Sequence, residues 1–258
     1  MAKVLSNKSL ADNIYFLKVS FKETINVKPG QFFNLKVCRD ESYDPLLRRP
    51  LSVFDFDLDN NEVSFIYEIK GRGTRALSNY IKGDFLDIHG PLGNGFTVDF
   101  NNKKLILAGG GMGIAPLYYL AKYIGVNNDL TLCLGAANKG VLKPLVDYFA
   151  NIVVELKLST DDGSFGSQGT ISCLLNNSSL GKEVEYDYLF GCGPKPMLEW
   201  LQSWMREEGI SGEFSLEERM ACGNGLCLSC SCKTTDGNKR LCKEGPVLPA
   251  DEVIINGL

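Results

Sequence analysis

Residues 104–117 read KLILAGGGMGIAPL. A short apolar run, Leu105 to Ala108, meets Gly109, Gly110 and Gly111; Gly113 follows, and Pro116 precedes a second apolar run. Four apolar residues bounded by glycine suit a buried strand. Glycine permits a tight turn and close backbone approach, and proline suits the first turn of a helix. Strand, glycine turn and helix in this order form the setting in which a dinucleotide phosphate meets backbone amides and the positive end of a helix. A tight strand-to-helix turn without a ligand is the alternative. Pro116 stands where the third glycine of G-x-G-x-x-G would fall, and Gly135-Ala136-Ala137-Asn138-Lys139 ends the next strand without a ribose-binding carboxylate. The choice between NAD and NADP stays open at this feature.

Working outward, residues 99–211 alternate strands and helices. Leu130 to Leu134, Val153 to Leu158 and Tyr188 to Phe190 read as strands, and Pro116 to Tyr123 and Pro196 to Glu207 as helices. This is the pattern of a parallel sheet with crossover helices. Residues 1–98 have a different texture. Asn13 to Phe21, Gln31 to Cys38, Glu62 to Ile69 and Asp84 to His89 are strand candidates punctuated by Pro29-Gly30, Asp59-Asn60 and Gly93-Asn94-Gly95. Several short strands with turns suggest a small antiparallel β-barrel. Residues 212–258 are cysteine- and glycine-rich, with Thr235 to Arg240 read as a charged loop. That segment is too small to bury much core unaided, so a metal staple is reasonable. The expected fold is multi-domain: an antiparallel β-barrel over 1–98, a parallel α/β nucleotide-binding domain over 99–211, and a small cluster domain over 212–258.

The 258 residues carry a net charge of −4 with no basic run, which argues against nucleic acid. The start, MAKVLSNKSLADN, lacks a signal-like apolar core. The longest uncharged stretch, Leu105 to Ala121, contains four glycines and Pro116 and falls short of a bilayer span. A soluble, cytoplasmic protein is expected.

Of nine cysteines, Cys222, Cys227, Cys230 and Cys232 lie within eleven residues and Cys242 follows. A disulfide scaffold would be short and cysteine-dense throughout; clustering at one end points to a metal site. Cys222, Cys227, Cys230 and Cys242 form C-x4-C-x2-C-x11-C, whose opening intervals match the plant-type [2Fe–2S] spacing. Gly223 and Gly225 suit close approach of amides to cluster sulfurs. A Rieske centre needs two histidines, and the chain has one, His89. Zinc is the remaining alternative, although only Cys227 and Cys230 form the paired knuckle typical of structural zinc. Cys232 shares a face with Cys230 if that segment is extended. It is then a buried small hydrophobe, the favoured reading, or a substitute ligand.

Further motifs appear in order: PGQF (29–32), RRPLSV (48–53), YEIKGRGTRALS (67–78), HGPLGNGF (89–96), STDDGSFGSQG (159–169), FGCGPKPML (190–198), MACGNGLCLSC (220–230) and LCKEGPVL (241–248). Together with the glycine turn they resemble the ferredoxin–NADP reductase superfamily. More closely, they resemble the iron–sulfur electron-transfer subunits of the two-subunit, NAD-linked dihydroorotate dehydrogenases of bacteria. The resemblance implies that Arg49, Pro50, Leu51 and Ser52 bind FAD, with Arg49 on its pyrophosphate and Ser52 near the reactive edge of the isoalloxazine. It implies that Ile66, Tyr67 and Glu68 form a second flavin-contacting strand and that Gly73 and Thr74 form a phosphate-binding turn. It further implies that Gly109, Gly110, Gly111 and Gly113 bind the nicotinamide dinucleotide and that Cys192 sits beside the nicotinamide ring. The catalytic expectation is thus Ser52 and Cys192. His89 reads as a turn or packing residue. Asn224 and Leu248 depart from the family pattern at positions that hold no ligand.

The activity implied is electron transfer from FMN on a dihydroorotate dehydrogenase catalytic subunit, through the [2Fe–2S] cluster and FAD, to NAD⁺, in a heterotetramer of two of each chain. No length remains for a catalytic barrel of about 250 residues, so orotate chemistry belongs to the partner. A reductase serving a ferredoxin, hydrogenase or oxygenase would use the same modules. A zinc-stabilised binding module without electron transfer is the reading from another class.

Overall fold

The computed structural model describes the chain apart from residues 39–43, 153–154, 177–184 and 256–258. The first half is a seven-stranded antiparallel sheet built from β1 (Ala2–Ala11), β2 (Ile14–Ser20), β3 (Phe32–Lys36), β4 (Arg49–Ser52), β5 (Asp55–Asp57), β6 (Glu62–Glu68) and β7 (Phe85–Leu92), with a short helix α1 (Arg72–Leu77) after β6. Its order is β4-β3-β7-β1-β2-β6-β5. The sheet curls until β4 lies against β6, wrapping a core of Val4, Leu17, Phe33, Leu35, Phe65 and Leu86. β6 is buried on both faces. Val63, Phe65 and Tyr67 join that core, while Ile66 turns to the core shared with the second half. Period-two alternation makes this division inevitable once one face is fixed.

The second half begins with β8 (Lys104–Gly110), a 3₁₀ turn over Gly111–Ile114, and helix α2 (Ala115–Ile124). It continues with β9 (Asp129–Ala136), α3 (Lys139–Val146), β10 (Glu155–Thr160), β11 (Ser167–Gln168), α4 (Ser172–Asn176), β12 (Tyr188–Cys192) and α5 (Lys195–Glu208). The strand expected from Val153 thus begins outside the described residues and is described from Glu155. α3 was not expected. In β8 the side chains split between two cores, Leu105 and Leu107 on one face, Ile106 and Ala108 on the other, as in a parallel sheet covered on both sides. α5 lays Leu198, Leu201 and Met205 on the second of these cores. It ends at Gly209, whose φ of +69° makes the left-handed C-terminal turn.

The cysteine-rich end is woven into this second sheet. β13 (Ser211–Ser215) pairs parallel to β12. β16 (Val247–Pro249) pairs antiparallel to β13. Between them, β14 (Ser231–Thr234) and β15 (Gly237–Arg240) form a separate hairpin. The expected charged loop at Thr235 to Arg240 is therefore mostly strand, turning at Thr235-Asp236. The sheet order is β11-β10-β9-β8-β12-β13-β16. The chain leaves β8 toward β9 on one side and later returns to β12 on the other. The order thus reverses between β8 and β12, where open α/β sheets bind ligands at the carboxyl ends of their strands.

The two halves meet through aromatic rings. Phe54 stacks on Tyr118 of α2 with centroids 4.4 Å apart, Phe96 meets Phe190 of β12 edge-on at 5.6 Å, and Tyr119 donates a 3.0 Å hydrogen bond to the Val27 carbonyl. Among the described residues no helix is long and apolar enough to cross a membrane.

Candidate functional site

The paired arginines of RRPLSV divide their work. Arg48 forms a two-pronged ion pair with Asp87 of β7, Nη1 at 3.1 Å and Nη2 at 2.6 Å, which holds that carboxyl below its ordinary range. Arg49 instead lies along the edge of the barrel, donating to the Leu47 carbonyl. Its guanidinium rests on Gly73: a Cβ there would stand 2.1 Å from Nε. Beside it Thr74 Oγ1 accepts a 3.0 Å bond from the Lys70 amide, fixing the turn into α1. A guanidinium beside a glycine turn could hold phosphate oxygens.

Next to this pair is a cleft of about 240 Å³. Pro50, Leu51 and Ser52 of β4, Ile66, Tyr67 and Glu68 of β6, and Thr74 all line it. The Tyr67 hydroxyl donates to Asn7 Oδ1 at 3.0 Å, and burial raises its pKa well above the ordinary tyrosine value. The ring is therefore a neutral wall.

A larger cleft of about 730 Å³ opens at the ends of β8 and β12. Gly110, Gly111 and Gly113 line it, with Gly135 to Ala137, Met197 and Trp200. The glycines serve different ends. Gly113 backs onto β12, where a Cβ would lie 2.4 Å from the Cys192 carbonyl oxygen. A Cβ on Gly110 would meet Met197 Sδ at 2.6 Å, and Gly109 is packed among Ile114, Leu117 and Leu134. Only Gly111, at φ +54°, faces open space within 4 Å. The Cys192 thiol is buried. Burial raises its pKa far above the ordinary thiol range, opposed by a hydrogen bond with Ser215. It lines neither cleft.

Glu68, Lys70, Met112 and Glu217 line both clefts. Two elongated ligands entering from opposite sides would meet there. Lys70 and Glu217 are functional candidates that the sequence reading missed. The available signal was position, since Glu217 follows β13 at the same carboxyl edge of the sheet.

Beyond the smaller cleft, whose wall includes Met220 and Pro246, the cysteines gather in two pairs. The thiols of Cys222 and Cys227 are within hydrogen-bonding reach of each other, as are those of Cys230 and Cys242. The Asn224 amide donates to Cys222 Sγ at 3.3 Å and the Gly225 amide to Cys242 Sγ at 3.1 Å. The Asn224 amide is the largest of several donors that pull the Cys222 pKa down to about 6, whereas burial raises Cys242 to about 11. Among the described residues no three metal-ligating side chains converge as a single ion would require. The consecutive amides of Asn224 and Gly225 bring the two pairs side by side, and four thiols with amides aimed at sulfur could hold an iron–sulfur centre. Cys232 is buried in the same apolar core as Cys230 and Cys242, on the hairpin strand β14 that begins just after Cys230.

Residues 217–254 match the family described as the iron–sulfur cluster binding domain of dihydroorotate dehydrogenase B. The whole chain is 41% identical, over 98% of its length and 96% of the relative's, to the dihydroorotate dehydrogenase B (NAD(+)) electron transfer subunit of Clostridium acetobutylicum. The chain belongs to the dihydroorotate dehydrogenase B electron transfer subunit family. The corresponding subunit of Caldanaerobacter subterraneus is 37% identical over 98% of this chain and 97% of its own. Among solved structures, one described as an NADH-dependent reduced ferredoxin-NADP oxidoreductase superposes with a TM-score of 0.87 at 27% identity, covering 100% of this chain and 91% of the other. The fold is that of ferredoxin–NADP reductases, with an iron–sulfur cluster binding segment appended. As a dihydroorotate dehydrogenase B electron transfer subunit the chain implies a separate catalytic subunit, and the family match encloses all four paired cysteines.

Proposed function

We propose that this chain carries electrons from the FMN of a dihydroorotate dehydrogenase catalytic subunit to NAD⁺ in pyrimidine biosynthesis, within a cytoplasmic heterotetramer of two of each chain. The proposed division of labour is FAD on residues 1–98, NAD on 99–211 and a [2Fe–2S] cluster on 212–258. When bound, FAD supplies the conversion between hydride transfer and single electrons, and the cluster carries those electrons one at a time.

The observation that carries this reading is the junction of the two clefts at Glu68, Lys70, Met112 and Glu217, with the cysteine pairs beyond the smaller cleft. Arg49 would grip the FAD diphosphate over Gly73 and Thr74. Pro50, Leu51, Ser52, Ile66, Tyr67 and Glu68 would wall its ring, with the Ser52 hydroxyl as a hydrogen-bonding group at the reactive edge. Gly109 to Gly113 would shape the nicotinamide dinucleotide's turn. Cys192 would back this turn from behind Gly113, packing it against β12 from outside the cleft. Cys222 with Cys227, and Cys230 with Cys242, would hold one iron each.

Anaerobic purification with flavin, iron and sulfide analysis tests the cofactor set. Reduction by NADH should give a paramagnetic iron signal, and adding the FMN catalytic subunit should restore NAD-dependent dihydroorotate oxidation. Colourless, iron-free protein would sink the reading. A coloured, NADH-reducible protein that never restores that activity would move it to a reductase with another acceptor.

A further inference from the structure

Asn34 is fully buried on β3, and neither its side-chain oxygen nor its nitrogen has a hydrogen-bond partner. An unpaired buried amide is costly, so native interiors rarely leave one. Its neighbours on β3, Phe33 and Leu35, point into the barrel core. Asn34 therefore points out of it, on the same face as its cross-strand partners Pro50 and His89. Pro50 lines the smaller cleft, but Asn34 does not. What it meets is the cysteine loop: a Cβ on Gly223 would stand 2.8 Å from Asn34 Nδ2. The next residue, Asn224, is bonded to His89 of β7, the strand paired with β3 beside Asn34, so the loop is held over the unsatisfied amide. Gly223, at φ +71° and directly after Cys222, makes that approach possible.

We infer that Asn34 donates a hydrogen bond from the barrel to a sulfur of the iron–sulfur centre, tuning its reduction potential from the flavin side. The inference rests on the proposed cluster. A donor to sulfur stabilises the more negative, reduced centre, so its loss lowers the potential. The amide fits this role: it is excluded from water, lies between the flavin cleft and the cysteine loop, and lacks any other acceptor.

The test is a redox titration of the anaerobically purified holoprotein, following the cluster by its paramagnetic signal and the flavin by absorbance. Asn34→Leu, similar in volume but without a donor, should shift the reduced-to-oxidised cluster ratio about tenfold toward oxidised at a fixed potential, or ~59 mV for one electron, leaving the flavin potential in place. Should Asn34→Leu fail to retain its cluster, Asn34→Ser and Asn34→Ala decide the matter. They differ by a single hydroxyl donor, and the serine variant should have the higher potential. Equal cluster potentials across the variants, or a shift confined to the flavin, overturn the inference while leaving the proposed function standing. A wild-type protein without a cluster overturns both.

Discussion

His89 Nε2 lies 2.7 Å from Asn224 Oδ1, joining strand β7 of the barrel to the loop between Cys222 and Cys227 across 135 positions of sequence. His89 had read as a turn or packing residue and Asn224 as a departure from the family pattern. In the fold the two form one fastening.

Breaking that fastening should loosen the cysteine loop without touching the flavin. An exposed hydrogen bond contributes about 0.5–1 kcal/mol net. His89→Ala or Asn224→Leu should therefore quicken iron release to a chelator about two- to fivefold. The double variant should release iron no faster than either single one. Additive effects would show that the residues act separately.

Gly73→Ala should cost FAD affinity rather than stability. The atom that a new Cβ would meet is the end of the flexible Arg49 side chain, so the guanidinium moves and the backbone does not. Thermal stability should stay within about 0.5 kcal/mol. FAD dissociation should strengthen about tenfold or more, the worth of one charge-assisted hydrogen bond. Arg49→Ala should do the same, and the double variant no worse. Flavin retained through dilution in both single variants would remove Arg49 from the phosphate role.

The glycine turn should answer differently at two positions. Gly113→Ala forces a methyl against the Cys192 backbone, and overpacking of this kind costs about 1–3 kcal/mol. Its melting temperature should fall. Gly111→Ala has open space but a φ of +54°, costing about 1–2 kcal/mol, and its effect should appear in NADH titrations because Gly111 lines the larger cleft. A Gly113→Ala protein that melts like the wild type would contradict the packing described for the turn.

Cys227→Ser should abolish the cluster while FAD content stays at the wild-type level. Cys232→Ala should keep iron and sulfide at wild-type stoichiometry, because Cys222 pairs with Cys227 and Cys230 with Cys242 without it. It should cost only a modest loss of stability from the small cavity left behind. Iron retained by the first variant or lost from the second would redraw the ligand set.

Much of this was legible beforehand where a local pattern carries its own physical reason. The glycine turn lies where β8 ends, and α5 follows its apolar spacing. Elsewhere local signals were masked. β1 was missed because irregularities between Val4 and Ser6, and between Ser9 and Ala11, interrupt its pairing with β2; a bulge breaks the period of two. α3 carries Gly140 and Pro144, both poor helix residues, and owes its place to Leu142 and Leu145 in the core.

Sequence alone determined the order of the antiparallel half, the α/β half and the cysteine-rich end, because cysteine spacing, glycine turns and strand periodicity are set by neighbours along the chain; that the last of these joins the second sheet through β13 and β16 was decided by the fold. Tertiary structure alone decided how those modules touch. It separated Arg48 from Arg49 by placing Asp87 beside the first and Gly73 beneath the second. It brought Glu217 to the meeting of two clefts and set the buried amide of Asn34 against Gly223. Such relations depend on which strands become neighbours, and pairings between residues far apart in the chain leave no periodic trace in it.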